Sequence, residues 1–175
     1  MDIALVPIGR IGKKVPTLLA EELEGIFNCA VRVERAMPEP EFAFDPARGQ
    51  YNSTFILYSI MDAKEYLRYG RILGVFEKDM FSAGLNFVFG EAGAKAAVIS
   101  LARLKEGFYG GREDSALFHR RVLTEAVHEL GHTFGLGHCQ NSSCVMFFSN
   151  TIADTDRKGG KFCPRCAGRL KFVSA

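Results

Sequence analysis

Three histidines and a glutamate in one short stretch constrain this chain more than any other feature. The stretch runs from His128 to His138 and reads HELGHTFGLGH. On an α-helix, His128 and His132 project from the same face about one turn apart. A helix cannot supply a third ligand from the same turn, but a glycine at 135 lets the chain fold back and bring in His138. The spacing therefore predicts a helix that ends in a sharp turn, with three imidazoles around one metal ion.

The chemistry of this donor set is typical of a catalytic zinc site. Three neutral imidazoles leave the fourth coordination position to water, whose pKa falls to about 7 on zinc. Glu129 follows the first ligand and is the candidate general base. The remaining histidine, His119, is predicted on the opposite side of the same helix, where we expect it to be structural or solvated.

The stretch HELGHTFGLGH, with Cys139 directly after it, resembles the archaemetzincin family, a branch of the metzincin metallopeptidases. The resemblance implies zinc-dependent hydrolysis of peptide bonds by an endopeptidase or aminopeptidase, with Glu129 as the general base. It also implies that Met146 lies in a turn beneath the metal, although by itself this residue is equally an ordinary core methionine. The implied fold is a single α+β, metzincin-like catalytic domain over residues 1–175, with a twisted mixed sheet, an active-site helix and a zinc-stabilised C-terminal segment.

Four cysteines in the last third of the chain predict a second metal site. Cys163 and Cys166 have the spacing of a zinc knuckle, and Cys139 and Cys144 supply the other two thiolates of a closed, structural Cys₄ site. Archaemetzincins carry a four-cysteine zinc site of this kind. Two disulfides are the alternative, which the lack of a secretory amino terminus disfavours. The expected cofactors are two zinc ions per chain, one catalytic and one structural.

Charge and hydropathy exclude other classes of function. A net charge of +2 with interspersed acids and bases predicts no nucleic-acid partner and no anionic membrane surface. No run approaches the roughly 20 apolar residues of a membrane span. We expect a cytoplasmic monomer that acts on a peptide or protein substrate. The alternative is a catalytically silent, zinc-stabilised peptide- or protein-binding module with an occluded cleft, which the intact Glu129 disfavours.

Apolar periodicity predicts the regular elements. Helices are expected at Val15 to Phe27 and from a cap at Asp114 or Ser115 to about Phe134. Strands are expected at Ile3 to Ile8, Ala30 to Glu34, Arg71 to Glu77, Gly84 to Glu91 and Ala96 to Arg103. Thr54 to Ile60 suits either a strand or a helix, and the resemblance favours a helix from Ser53.

Three finer expectations concern the cleft and the core. Val98 to Leu101 is interpreted as an edge strand that an extended peptide could join, with a plain buried strand as the alternative. Cys29 is interpreted as a buried strand residue without chemistry. Phe147 and Phe148 are interpreted as core packing rather than as the lining of a specificity pocket.

Overall fold

The computed structural model describes the backbone of residues 2–173 and the side chains of residues 2–170. The strands are β1 Ile3–Ile8, β2 Val31–Val33, β3 Phe44–Asp45, β4 Gln50–Asn52, β5 Arg71–Phe76, β6 Met80–Phe81, β7 Gly90–Ala92 and β8 Ala96–Ser100. The α-helices are α1 Lys14–Phe27, α2 Ser53–Asp62, α3 Ser115–Thr133, α4 Ile152–Lys158 and α5 Pro164–Val173. Among the described residues, no helix is long and apolar enough to cross a membrane.

A mixed five-stranded sheet forms the centre of this α+β domain. Its order is β2-β1-β5-β8-β7, and β7 alone runs antiparallel to its neighbour. All six residues of β1 are buried. A continuous apolar run of this kind is typical of a strand that is covered on both faces.

Helices cover both faces of this sheet, because alternate side chains of each strand point to opposite sides. Ile3 and Leu5 pack in a core with α1 and α3, whereas Ala4 and Val6 pack in a second core with α2. A smaller sheet of order β3-β4-β6 lies beside the second core.

Helix α3 has the predicted start and end, and it is the longest helix among the described residues. The Asp114 carboxylate caps it by accepting the backbone N–H groups of Ala116 and Leu117 at 2.9 and 3.0 Å. Gly135 has φ +80°, a conformation that glycine adopts at little cost, so the chain reverses directly after the helix. The ambiguous segment after Asn52 is a helix, α2.

The predicted edge strand is wrong. Strand β8 lies between β5 and β7, and all five of its residues are buried. An interior position accounts for its continuous apolar sequence, since both of its faces are covered. The two edges of the sheet are β7, which is the neighbour of β8, and β2.

The strand predicted at Gly84 to Glu91 is largely a loop, since β7 begins only at Gly90. Side chains bind the backbone of this loop where a neighbouring strand would otherwise do so. Arg48 donates to the carbonyl oxygens of Leu85 and Asn86 at 3.2 and 3.1 Å, and Gln50 also donates to Asn86 at 3.1 Å. These bonds satisfy carbonyl groups that a ladder would satisfy in a strand.

Cys29 is also misplaced by the sequence prediction. It lies in the turn before β2 and is only partly buried. Helix α1 ends at Phe27, and its C-cap residue Asn28 has the left-handed conformation.

Candidate active site and metal centres

The three histidines of the motif meet at the carboxyl-terminal end of α3. His128 and His132 lie on the helix, and His138 returns after the turn at Gly135. One ring nitrogen of each lies within 4.8 Å of the others, close enough for one ion to contact all three.

Hydrogen bonds orient two of these rings. The Nδ1–H of His128 donates to the Val145 carbonyl at 2.7 Å, and the Nδ1–H of His132 donates to the Leu136 carbonyl at 2.8 Å. A carbonyl only accepts, so Nδ1 carries the proton and Nε2 of each neutral ring keeps its lone pair. The two Nε2 atoms are 3.1 Å apart. Two opposed lone pairs at this distance fit a shared cation, and zinc with Zn–N bonds of 2.0–2.1 Å holds nitrogens about 3.3 Å apart.

The surroundings favour the neutral imidazoles that a metal requires. Burial is the main cause and the Lys158 ammonium the second of a shift that lowers the pKa of His128 to about 2. Burial also lowers the pKa values of His132 and His138. The three rings therefore present lone pairs rather than protons at neutral pH.

Glu129 lies on the next position of α3 and is 6% exposed. Burial raises the pKa of its carboxyl group well above the ordinary value, and the Glu125 carboxylate one turn earlier raises it further. A Cβ at Gly90 would be 2.5 Å from Cγ of Glu129, so the glutamate packs directly on the backbone of the edge strand β7. The carboxylate is thus held between α3 and the edge of the sheet.

Met146 is fully buried beneath α3. Its Sδ lies 2.5 Å from the position that a Cβ on Gly131 would occupy. Its carbonyl oxygen accepts the backbone N–H of Cys139 at 2.8 Å. Met146 therefore connects the helix that carries two histidines with the residue that follows the third.

The four carboxyl-terminal cysteines form a second cluster. The Sγ atoms of Cys139, Cys144, Cys163 and Cys166 all lie within 4.8 Å of one another. Cys139 and Cys163 have an Sγ–Sγ distance of 3.9 Å, and all four are free. A disulfide has S–S of about 2.05 Å, whereas tetrahedral zinc with Zn–S bonds of 2.3 Å separates two sulfurs by about 3.8 Å. The disulfide alternative is therefore wrong, and the spacing fits zinc.

The environment of the cluster favours one thiolate in particular. A hydrogen bond from the Cys166 backbone N–H, supported by the neighbouring thiols, lowers the pKa of Cys163 to about 7. Burial raises the pKa of Cys144 and that of Cys166. Binding of a cation to all four sulfurs releases the remaining protons.

A cavity of about 220 Å³ opens beside His128 and Glu129. Phe148 lines it, is 45% exposed and meets the ring of His138 at a centroid distance of 4.9 Å. The interpretation of Phe148 as core packing is therefore wrong, whereas Phe147 is partly buried.

Sequence reasoning missed five polar residues that line the same cavity, namely Asn86, Glu125, Ser149, Asn150 and Lys158. A signal existed for Glu125, because it precedes Glu129 by one helical turn on the same face. Lys158 and Ser149 belong to the segment after Met146, which carries no periodic pattern.

His119 lies outside the histidine cluster, as expected. Its Nε2 is 2.6 Å from a carboxylate oxygen of Glu22 on α1. This contact joins α3 to α1 on the side away from the cavity.

Comparison with known proteins identifies the family. The model of peptidase family M54 matches residues 26–172. An archaemetzincin from Methanocaldococcus jannaschii is 39% identical over 173 residues, which cover 98% of this chain and 93% of the relative. The chain belongs to the archaemetzincin family. A second archaemetzincin, from Pyrococcus furiosus, is 40% identical over 97% of this chain and 92% of its own length.

Solved structures of archaemetzincins have the same fold. The crystal structure of the Methanopyrus kandleri archaemetzincin matches with a TM-score of 0.86 and 37% identity, over 99% of this chain and 94% of that chain. A zinc-dependent peptidase from Methanocorpusculum labreanum matches with a TM-score of 0.85 and 30% identity, over 96% and 99% of the two chains. Membership of this family makes the chain a zinc-dependent metallopeptidase, a hydrolase that acts on peptides or proteins.

Proposed function

We propose that this archaemetzincin cleaves peptide bonds with a catalytic zinc bound by His128, His132 and His138. One observation carries the proposal. The Nε2 atoms of His128 and His132 are 3.1 Å apart with their lone pairs facing each other, because the Nδ1–H of each ring donates to a backbone carbonyl. This arrangement is repulsive without a cation. Zinc in such a site supplies a Lewis acid that makes water nucleophilic near neutral pH.

Glu129 is the proposed general base. Its carboxylate accepts the proton of the attacking water and returns it to the leaving amine nitrogen. Its position beside His128 on α3 places it near the open side of the histidine cluster. Contact with Gly90 holds the carboxylate at the edge of the sheet, where a substrate backbone can reach it.

The edge strand β7 is the proposed docking position for an extended substrate. This strand lies at the end of the sheet, and an added strand gains main-chain hydrogen bonds. Glu91 attaches β7 to helix α2, because its carboxylate accepts hydrogen bonds from the hydroxyls of Ser53 and Thr54 at the start of that helix. These bonds tie β7 to the start of α2.

A structural zinc in the Cys₄ cluster is the second metal of the proposal. Cys139 follows His138 directly, so neighbouring residues would bind different ions. The hydrogen bond from Cys139 to Met146 joins the same two regions. Binding of zinc by the four cysteines would therefore also hold the backbone of His138 in place. Met146 packs against helix α3 at Gly131.

The test is cleavage of a diverse peptide library by protein with two measured zinc ions per chain, beside Glu129→Ala with the same zinc content. Turnover by the parent alone supports a metallopeptidase with Glu129 as base. Including peptides with blocked amino termini separates the two modes, because an endopeptidase cleaves them and an aminopeptidase does not. Absence of turnover from both proteins would favour a silent binding module instead.

A further inference from the structure

The cavity beside Glu129 has aromatic walls and a polar inner lining. Loop residues before β7 form one side, and the segment after Met146 forms the other. The residues used in the argument are Phe87, Phe89, Phe148, Glu125, Ser149 and Lys158. A volume of about 220 Å³ is below the 300 Å³ or more that is typical of pockets for drug-sized ligands, so one large side chain suits it.

The polar lining contains a buried ion pair. Nζ of Lys158 is 3.2 Å from Oε1 of Glu125, and the two side chains are 0% and 3% exposed. The Thr155 hydroxyl donates to the same oxygen at 2.8 Å, and Lys158 also donates to the Phe147 carbonyl at 3.4 Å. The two charges compensate each other, so this end of the cavity is polar but carries no net charge.

Ser149 adds a polar group without a partner. Its hydroxyl oxygen is buried and has no hydrogen-bond partner among the described residues. Both contacts of Glu125 use Oε1, which leaves Oε2 as a second acceptor. Buried polar groups in proteins nearly always find partners, so a ligand in this cavity gains by supplying them.

We propose that this cavity binds a tyrosine side chain of the substrate next to the scissile bond, with Ser149, Glu125 and Lys158 as specificity-determining residues. The proposal rests on the peptidase function proposed above. An aromatic ring packs between the phenylalanine walls by edge-to-face and offset contacts. A phenol both donates and accepts, so it can donate to the Glu125 carboxylate and accept from Ser149 or Lys158.

Other substrate side chains supply fewer partners to the polar groups of the cavity. A phenylalanine ring fills the space but leaves the Ser149 hydroxyl unpaired and excludes water from it. An acidic side chain meets Glu125, and a basic one meets Lys158, so each adds an uncompensated charge to a buried ion pair. Sites that hydrogen-bond a substrate hydroxyl discriminate strongly against the analogue that lacks it.

The experiment measures binding separately from turnover. Zinc-loaded Glu129→Gln is titrated calorimetrically with blocked hexapeptides that differ only in one residue, which is tyrosine, phenylalanine, leucine, glutamate or lysine in an alanine background. The tyrosine peptide is expected to bind at least about tenfold more tightly than the phenylalanine peptide. The glutamate and lysine peptides are expected to bind more weakly than either.

Two further variants in the Glu129→Gln background assign the preference to the cavity. Ser149→Ala removes the hydroxyl alone, and Glu125→Leu with Lys158→Met removes both charges without leaving one unpaired. In at least one of these variants, the affinity for the tyrosine peptide is expected to fall about tenfold, while the affinity for the phenylalanine peptide stays unchanged. Ser143→Ala, at an exposed serine that does not line the cavity, is the matched control and keeps the preference.

Equal affinity for tyrosine and phenylalanine in the parent, or a preference that survives in both cavity variants, would overturn the proposal. Cleavage by the wild-type protein is measured in parallel by mass spectrometry with the same peptides. Cleavage without tyrosine preference would contradict the specificity alone. A tyrosine-dependent affinity without any cleavage would contradict the peptidase function alone.

Discussion

Glu129 on helix α3 packs directly against Gly90 on the edge strand β7. A Cβ on Gly90 would lie 2.5 Å from Cγ of Glu129 and 2.7 Å from Oε1. No side chain larger than hydrogen fits between the helix and the strand at this point. The carboxylate that we propose as the base is therefore positioned by the same strand that we propose as the docking edge.

Gly90→Ala is expected to lower kcat/KM by about 10²-fold, since a misplacement of about 1 Å in a catalytic group can cost this much. The protein should still fold, because the glutamate side chain can move away. Peptide cleavage and the melting temperature measure the two effects. Gly25→Ala on α1 is the control, because its Cβ meets nothing within 4 Å and alanine favours a helix. Equal activity of both variants would contradict the positioning role.

Glu129→Gln is expected to reduce kcat by about 10² to 10⁴-fold, the usual contribution of a general acid–base group. The amide keeps the shape of the side chain but cannot accept the proton. Zinc content, measured by atomic emission, should remain that of the parent, since Glu129 is outside the histidine cluster. Glu22→Gln, at the contact with His119, serves as the control. Undiminished turnover in Glu129→Gln would remove it from the mechanism.

Cys163→Ser is expected to lower the zinc content from two ions per chain to one. Loss of the cluster should also weaken zinc binding by the histidines, because Cys139 and His138 are adjacent in the chain. A chelator competition followed by metal analysis measures both effects. Cys29→Ser is the control, since this thiol lies outside both clusters. Retention of two tightly bound ions in Cys163→Ser would refute the structural site.

Arg121 connects α3 to α4, which carries Lys158. Its guanidinium group donates to both oxygens of Asp156 at 2.7 Å, and its Nη1 lies 2.5 Å from Oε1 of Glu106. Arg121→Met is expected to lower the free energy of unfolding by about 3 kcal/mol, because it leaves carboxylates without a buried partner. Urea denaturation measures the change. Arg32→Met breaks only an exposed contact to Asp2 and should cost less than about 1 kcal/mol. Similar losses in both variants would contradict this ranking.

Asp154 stabilises the first turn of α4 in a pH-dependent way. Hydrogen bonds from the Thr151 hydroxyl and from two backbone N–H groups lower the pKa of this carboxyl group. Its contribution is present above the unfolded pKa of about 4 and is lost as pH falls through the lower folded value. Asp154→Asn should therefore cost about 1 kcal/mol at pH 7 and less near pH 2, measured by urea denaturation at both values. If the stability difference between the parent and Asp154→Asn stays constant with pH, the ionised Asp154 carboxylate does not stabilise the helix start.

The spacing of the three histidines and the extent of helix α3 were predictable from local sequence. Helix α3 has the capping residue and the ending that the sequence predicts, because cap chemistry and glycine conformations act over a few residues. The grouping of His128, His132 and His138 follows from helical periodicity and one turn. The resemblance to archaemetzincins, carried by the same residues, accounts for the rest of the correct fold.

The sequence by itself determined the groupings that depend on neighbours in the chain, namely the three histidines with Glu129 and the pair Cys163 and Cys166. Only the tertiary structure decided that β7 rather than β8 is the edge, that Glu129 packs on Gly90, and that Lys158 and Ser149 line the cavity. Strand order and cavity lining depend on contacts between residues far apart in the chain. Such contacts arise from the burial of whole faces, which no local pattern specifies.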